Sequence, residues 1–376
     1  MPENKIKILF IVNDLGIGGV QRLVVDFANF LDREKFDVSV AILFSRLDSY
    51  FFRDQLKDDV KFTNFSFKNI YDTREFFELC RFIKKNKFDV VFTQLFVADT
   101  VGRLAAFFSH TPVIVTEIQN IITGLGKKFI YTDKLLKYIT TACISTTNAV
   151  TEYATKVIKF PRRKIFEIPT NLVDKRKFEK EIDKSVLKNE LNISPDAKIV
   201  INIGRLVVQK GQKALLDAIP LILKEKLNTY FVIVGSGSQE EALKLQAKNL
   251  GVEDKVRFLG SRLDTPELLR SSDVFAFPSI WEGQGLILFE AFFSRIPIVA
   301  SNTGGIPDVV KDNETGILVR PGDADDLAKN ILRVLDDPDF GARLAQTAYE
   351  KYKDRNMANA IKKIENVFIK LIEDKR

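Results

Sequence analysis

The sequence predicts an α/β protein made of two doubly wound parallel-sheet domains facing across a cleft. Three observations carry that expectation. The 376 residues exceed one ordinary core and suit two domains of roughly 150–200 residues each. Continuous apolar runs of strand length alternate with segments of helical periodicity. That alternation lapses once, in the charged stretch Phe178–Ser194, and then starts again.

The first half opens with Ile6–Val12, apolar at every position but Lys7 and suited to a strand buried on both faces. A glycine-rich turn follows, then Val20–Leu31, where Leu23, Val24, Phe27, Ala28 and Leu31 recur at helical spacing. Further strands are expected at Val38–Phe44, Val90–Phe92, Val113–Thr116 and Ala142–Ile144, with helices at Arg74–Lys85 and Ala98–Phe108 between them. Past the charged stretch the pattern resumes. Lys198–Ile203 reads as a strand, Ala214–Lys224 as a helix, Phe231–Val234 as a strand and Glu240–Leu250 as a helix. Val256–Leu259, Val274–Pro278, Gly285–Ser294, Ile298–Ala300 and Gly316–Val319 continue it. The domain division expected is 1–170, 171–350 and a C-terminal helix within 351–376 that crosses back to the first domain. Ligands of open α/β sheets bind at the carboxyl ends of the strands, so the site is expected there.

Composition narrows the class. Apolar residues make up 45% and charged residues 28%, as in soluble globular proteins. No apolar run approaches the roughly 20 residues that span a bilayer, and no signal-peptide pattern opens the chain. Cys80 and Cys143 lie far apart without ligand-like spacing, so no disulfide framework or zinc site is expected and a cytoplasmic setting is. Most of the +7 net charge falls in the first 170 residues, which leaves the inner face of the cell membrane a candidate surface. No dense basic run or aromatic-basic motif points to nucleic acid.

Three segments carry chemistry. Gly16-Ile17-Gly18-Gly19 follows the first strand, where glycines allow close ligand approach and a helix start offers N–H groups to an anion. A plain tight turn is the competing reading. Gly204-Arg205-Leu206, with Lys210-Gly211 after it, sets two cations beyond a strand end, where they can clamp a diphosphate. Trp281-Glu282-Gly283-Gln284-Gly285-Leu286-Ile287 leads from a strand into an apolar helix that carries Glu290. A carboxylate on such a face is costly without partners, and ribose hydroxyls are suitable ones. The N–H groups at Gly285 and Leu286 can hold phosphate oxygens. Asp323 and Asp325 read as a helix start and not as a metal pair, and His110 as a surface turn. Thr123–Tyr138 mixes lysine with aromatic and aliphatic residues, as does a helix on a membrane surface or an ordinary amphipathic helix.

Taken in order, these segments resemble the retaining glycosyltransferases of the two-Rossmann-domain (GT-B) type, family 4 or glycosyltransferase group 1. The resemblance spans nearly the whole chain. It adds Asn171–Asp174, Val234–Gly237, Phe258–Gly260, Asp273–Ser279, Gly304–Asp308 and Thr315–Asp323 to the segments above. It implies a nucleoside-diphosphate-sugar donor, with a UDP-sugar favoured, and a glycan or lipid-linked acceptor in cell-envelope synthesis. Arg205 and Lys210 would bind the diphosphate, Glu282 the donor sugar and Glu290 the ribose. Gly283, Gln284, Gly285, Leu286 and Ile287 would wrap the sugar and β-phosphate. The loop Gly260–Leu263 would lie near the base, with Leu263 at its end. Gly18 and Gly19 would approach from the other domain, and no cofactor or metal ion would be needed.

Three positions depart from the family pattern. A histidine usual after the strand Val113–Thr116 is absent: the chain reads Thr116-Glu117-Ile118-Gln119-Asn120, which leaves Glu117 or Gln119 to meet the sugar. Arg295 stands where glycine usually ends a helix, and Leu172 where glycine is usual at the domain crossing. The missing histidine and Arg295 keep open a catalytically impaired donor-binding subunit; a nucleotide-sugar epimerase shares the fold and is the other alternative, though it would need a histidine in the cleft and the chain offers little. Loops within Ser45–Asp54 and Ile121–Thr132 are the expected acceptor contacts.

Overall fold

The computed structural model describes residues 5–45, 50–119, 121, 127–169, 173, 175–178, 185–355 and 357–375. The chain forms two compact units, one of Met1–Leu172 with Met357–Arg376, the other of Val173–Asn356.

The first unit runs β1 (Ile6–Val12), α1 (Gly19–Phe30), β2 (Phe36–Ile42), β3 (Lys61–Asn64), α2 (Thr73–Asn86), β4 (Val90–Thr93) and α3 (Phe96–Phe108). It continues through β5 (Val113–Ile118), α4 (Lys127–Leu136), β6 (Ala142–Ser145), α5 (Asn148–Lys156) and β7 (Ile165–Glu167). All seven strands pair in parallel in the order β3-β2-β1-β4-β5-β6-β7.

The second unit runs α6 (Ser185–Glu190), β8 (Lys198–Ile203), α7 (Gln212–Glu225), β9 (Thr229–Val234), α8 (Glu240–Asn249), β10 (Val256–Phe258) and α9 (Thr265–Arg270). It continues through β11 (Val274–Phe277), α10 (Leu286–Ser294), β12 (Ile298–Ser301), α11 (Ile306–Val309), β13 (Ile317–Val319), α12 (Ala324–Asp336) and α13 (Pro338–Tyr352). Its sheet is parallel, ordered β10-β9-β8-β11-β12-β13. The final helix, α14 (Met357–Glu373), returns to the first unit.

Strand burial explains what the apolar runs predicted. The side chains of β1 from Ile8 to Val12 are buried, because helices cover both faces of the sheet. One face packs against α1 and α14, where Phe92 of β4 meets Phe368 with ring centroids 5.8 Å apart. The other face packs against α2 and α3. In the second unit α10 is apolar nearly all round and is covered by α9 and α13. Phe292 stacks on Tyr352 at 4.7 Å, and the Tyr352 hydroxyl donates to the Val309 carbonyl at 2.5 Å.

Several local expectations resolve plainly. Asp323 caps α12 by accepting the Asp326 N–H, so the Asp323/Asp325 pair starts a helix. His110 is exposed in a left-handed turn after α3. The strands β3 and β7 were not foreseen; both are sheet edges and three or four residues long, too short and polar for an apolar run.

Arg295 ends α10 in the left-handed region, φ 53°, the place where glycine is usual. Its guanidinium lies over the Tyr349 ring at 3.9 Å, which offsets part of the backbone strain. Arg295→Ala keeps the strain and loses the stack, whereas Arg295→Gly loses both. Chemical denaturation is expected to find the alanine variant about 1 kcal/mol less stable than the glycine variant.

Candidate functional site

In the second unit the strand order reverses at β8, which lies between β9 and β11. The loops leaving β8 and β11 therefore start side by side at the carboxyl edge of the sheet, the place where open α/β sheets bind ligands. These two loops carry Arg205 with Lys210, and Glu282 with Gly283–Gly285.

The loops are bound to each other through the backbone. The Ile280 N–H donates to the Gln209 carbonyl at 2.8 Å, and Gln209 Nε2 donates to the Trp281 carbonyl at 3.1 Å. Gly211 has φ 67°, and a Cβ there would lie 1.9 Å from the Pro278 carbonyl oxygen. The loop after β12 adds a third wall. The Gly305 N–H donates to the Glu282 carbonyl at 3.0 Å, and Thr303 Oγ1 donates to the Ile280 carbonyl at 3.1 Å. Gly304, φ 56°, passes so close that a Cβ would sit 1.9 Å from the same Glu282 oxygen. Both positions demand glycine for space and for backbone conformation.

Within this frame Lys210 Nζ donates to Glu282 Oε2 at 2.5 Å. Both side chains are largely buried, and the ammonium also lies over the Phe277 ring at 5.2 Å. Arg205 behaves differently. Its side chain is exposed, and no carboxylate among the described residues pairs with it, while its carbonyl accepts from Gln212 Nε2 at 3.0 Å. The two expected cations thus share one edge but are in different states.

Gly285, φ 76°, precedes the first turn of α10, and Leu288 N–H is the first to bond back, to the Gly285 carbonyl at 2.9 Å. The N–H groups of Leu286 and Ile287 lie before that bond and have no intrahelical acceptor. Gly283 and Gln284 are buried, and Glu290 is half-buried one turn along α10, where a neighbour engages it. The loop Gly260–Leu263 joins the same edge, since the Gly235 N–H donates to the Gly260 carbonyl at 2.7 Å and Leu263 is exposed.

The remaining candidates belong to the first unit, whose sheet reverses at β1. Gly18 precedes α1 and Gly19 begins it, with no acidic residue in the first turn. Glu117, next to last in β5, accepts a hydrogen bond from Nε2 of Gln94, the residue that follows β4. Gln94 carries no sequence motif and was not expected. Next to it Leu95 holds φ 67° and ψ 142°, a strained conformation for a non-glycine residue. Three polar atoms at this edge, Gln94 Oε1, Gln119 Nε2 and Thr146 Oγ1, are buried without a hydrogen-bond partner among the described residues. Such atoms fit a site that takes a polar ligand. Asn171, Leu172 and Asp174 at the crossing, and much of the loops proposed for the acceptor (46–49, 120 and 122–126), lie outside the described residues.

Below this edge is a buried charged cluster. Asp99 Oδ1 accepts from Thr93 Oγ1 at 2.5 Å and from Thr116 Oγ1 at 2.6 Å, while Arg103, almost wholly buried, pairs with both Asp99 and Asp133. Arg103 Nη1 also donates to Thr140 Oγ1 at 3.4 Å. Burial and the neighbouring Asp99 push the Asp133 carboxyl up to about 6, with Arg103 opposing them.

Two Rossmann-like parallel-sheet units, one with cationic and glycine-bound loops at a strand-order reversal, define the GT-B class of glycosyltransferase. The chain belongs to the glycosyltransferases of group 1, family 4. Residues 183–351 match the family described as glycosyl transferases group 1, and residues 17–173 match Glycosyltransferase Family 4. The chain is 28% identical to the UDP-Gal:alpha-D-GlcNAc-diphosphoundecaprenol alpha-1,3-galactosyltransferase of Escherichia coli, over 99% of each chain. It is 29% identical, over 98% of each, to a Campylobacter jejuni enzyme named as an alpha-1,4-N-acetyl-D-galactosaminyltransferase acting on a diNAcBac-PP-undecaprenol-linked glycan. Among solved structures, Anabaena Alr3699/HepE in complex with UDP and glucose aligns with a TM-score of 0.86 at 20% identity, covering 97% of this chain and 100% of the other.

Two predictions follow from these contacts. Lys210→Met leaves the Glu282 carboxylate buried without its cation and is expected to cost about 3 kcal/mol of stability in urea denaturation. The double variant Lys210→Met/Glu282→Gln recovers most of that loss; equal stability of the single and double variants would show that the pair is not coupled. At Asp133 the folded-state value lies above the unfolded one, so its stabilising contribution is full below about pH 4 and is lost as pH rises through about 6. The stability difference between wild type and Asp133→Asn, measured across pH 4–7, should therefore shift against wild type as pH rises, by at most about 1.4 kcal/mol per pH unit.

Proposed function

We propose that this glycosyltransferase transfers a sugar from a UDP-sugar to a lipid-linked glycan of the cell envelope, with retention of anomeric configuration. The observation that carries the reading is the second unit's strand-end site, where an exposed Arg205, a held Lys210 and the free N–H groups starting α10 converge on one edge. That combination suits a nucleoside diphosphate. The UDP donor in the name of the E. coli relative and the UDP bound to the Anabaena protein support the choice of base. The undecaprenol-linked acceptors in the names of both bacterial relatives support the acceptor class.

The chemistry is a problem of charge. As the bond from the anomeric carbon to the β-phosphate oxygen breaks, positive charge grows on the sugar and negative charge on the leaving UDP. Arg205 and Lys210 neutralise the latter, so the proposed reaction needs no metal ion. The acceptor hydroxyl attacks the same face, forms the new glycosidic bond and passes its proton to the departing phosphate. Glu282, held on its carbonyl by Gly305, contacts the donor sugar, and Gly283, Gln284, Gly285, Leu286 and Ile287 bind the sugar and β-phosphate. Glu290 takes the ribose hydroxyls, and Leu263 covers the base. Gly18 and Gly19, at the start of α1, are read as further donor contacts. Glu117 and Gln119, with Gln94, meet sugar hydroxyls where the family usually has histidine.

UDP is expected to raise the melting temperature of the purified protein more than other nucleoside diphosphates do. Arg205→Ala should lower turnover about 10²–10³-fold with an unchanged melting temperature of the free protein, because the side chain is exposed. Interconversion of the donor sugar without any acceptor would replace this reading with an epimerase.

A further inference from the structure

The Gln94–Glu117 pair stands on a buried support that the proposed reaction leaves unexplained. Thr93, the last residue of β4, pairs in register with Thr116 of β5, and both side chains face α3. Successive side chains of a strand point to opposite faces, so Glu117 lies on the other side of the sheet, where Gln94 meets it. Both threonine hydroxyls donate to one atom of α3. Thr93 Oγ1 reaches Asp99 Oδ1 at 2.5 Å, and Thr116 Oγ1 reaches it at 2.6 Å. A single oxygen thus ties two neighbouring strands at the residues directly before Gln94 and Glu117.

The surroundings fix Asp99 in that place. Gly102 lets α3 lie close against the sheet, since a Cβ there would sit 2.7 Å from Thr93 Cγ2 and 3.2 Å from Ile11 Cδ1. Arg103 binds the other carboxylate oxygen, Oδ2, and is itself held by Asp133, which leaves Oδ1 to the threonines. The Asp99 N–H donates to the Leu95 carbonyl at 2.7 Å, and the Ala98 N–H to Asn13 Oδ1 at 2.8 Å. The turn from Gln94 into α3 is therefore clamped on both sides of the strained Leu95. As a rule a buried ion pair is no more stabilising than well-packed apolar side chains of similar volume. What it supplies here is a fixed hydrogen-bond geometry beneath two polar residues.

We infer that Asp99 is a positioning residue for sugar recognition, which acts through Thr93 and Thr116 to set the spacing and direction of Gln94 and Glu117. A carboxylate only accepts, so the Gln94 amide turns its N–H to Glu117 and its oxygen away. That oxygen, Gln94 Oε1, is buried without a hydrogen-bond partner among the described residues, as suits an acceptor that takes a sugar hydroxyl. A shift of either strand end would break the amide–carboxylate contact and swing Oε1 out of line. The inference rests on the reading that Gln94 and Glu117 meet the sugar, and adds how they are held.

Asp99→Ala strips the buried Arg103 of a carboxylate and is expected to destabilise the chain strongly, so the threonines carry the test. Thr93→Val/Thr116→Val removes both hydroxyls and keeps the side-chain shape, whereas Thr93→Ser/Thr116→Ser keeps the hydroxyls. By nuclear magnetic resonance, the Gln94 side-chain amide, assigned from its loss in Gln94→Ala, should exchange slowly with water in the wild type and the serine variant. In the valine variant it should exchange at least about tenfold faster. Calorimetry then compares UDP with UDP-galactose, the donor in the name of the E. coli relative. The ratio of the two dissociation constants should move about tenfold against UDP-galactose in the valine variant, with UDP itself unchanged, and return towards the wild-type value in the serine variant. Adding the valine pair to Gln94→Ala/Glu117→Ala should move the ratio no further, because the route is already cut. A valine variant that melts earlier but keeps its amide exchange and its ratio would show a structural role alone and overturn the inference, as would a serine variant equally impaired. Failure of UDP-galactose to bind, or an unmoved ratio in Gln94→Ala/Glu117→Ala, would instead sink the sugar-contact reading; amide exchange would still decide whether Asp99 holds the pair.

Discussion

The site depends on how closely three loops of the second unit approach one another at the carboxyl edge of a parallel sheet. Parallel strands deliver all their carboxyl ends to one edge, so the connections after β8, β11 and β12 must crowd together there. They do so backbone to backbone. Gly211 passes the Pro278 carbonyl and Gly304 the Glu282 carbonyl at distances that leave no room for a Cβ. Hydrogen bonds from Ile280 and Gly305 then lock the register of the three loops. A methyl group at either glycine would push one loop away and carry Glu282 with it.

What that packing holds is a charged pair ready for a charged ligand. Lys210 and Glu282 satisfy each other, so neither is left bare in a largely buried position. Pairing costs desolvation, and its net contribution to stability is small compared with the loss from breaking it on one side. Its value lies in order: the ammonium is fixed before a ligand arrives and needs little reorganisation. Arg205, exposed on the same edge, supplies a longer reach. The first unit has a parallel arrangement of another chemical kind, in which the Gln94–Glu117 pair and three unpartnered buried polar atoms offer hydrogen bonds and no cation.

Much of the fold could be read from the chain because its central strands are buried on both faces. β1, β8 and β11 announce themselves as mainly apolar runs, interrupted only by Lys7 in β1 and by Lys198 and Asn202 in β8. β3 and β7 do not, since an edge strand needs only a few residues and tolerates polar ones. Of the site, the glycines and Glu282 were legible as a motif. The bond between Lys210 and Glu282 was not, because the two lie 72 residues apart and meet only through the strand-order reversal. Asp99 and Arg103, four residues apart on a helix, have the spacing of an ordinary surface pair, and only the packing of α4 over them makes the pair a buried one. Gln94 and the strained Leu95 gave no signal, as nothing in a single sequence marks a residue by the partner it finds on the next strand.

The return of α14 has a consequence for how the protein is made. Ile364 and Phe368 are fully buried in the first unit's core, and the Glu365 carboxylate accepts the Asp32 N–H at 2.7 Å. A ribosome therefore releases the first 172 residues with one flank of their core uncovered, and that flank stays open while the whole second unit is synthesised. The second unit is continuous in the chain and can close as soon as it emerges. Completion of the first unit's core, from Ile8 to Phe92, therefore depends on a helix that follows the whole second unit in the chain.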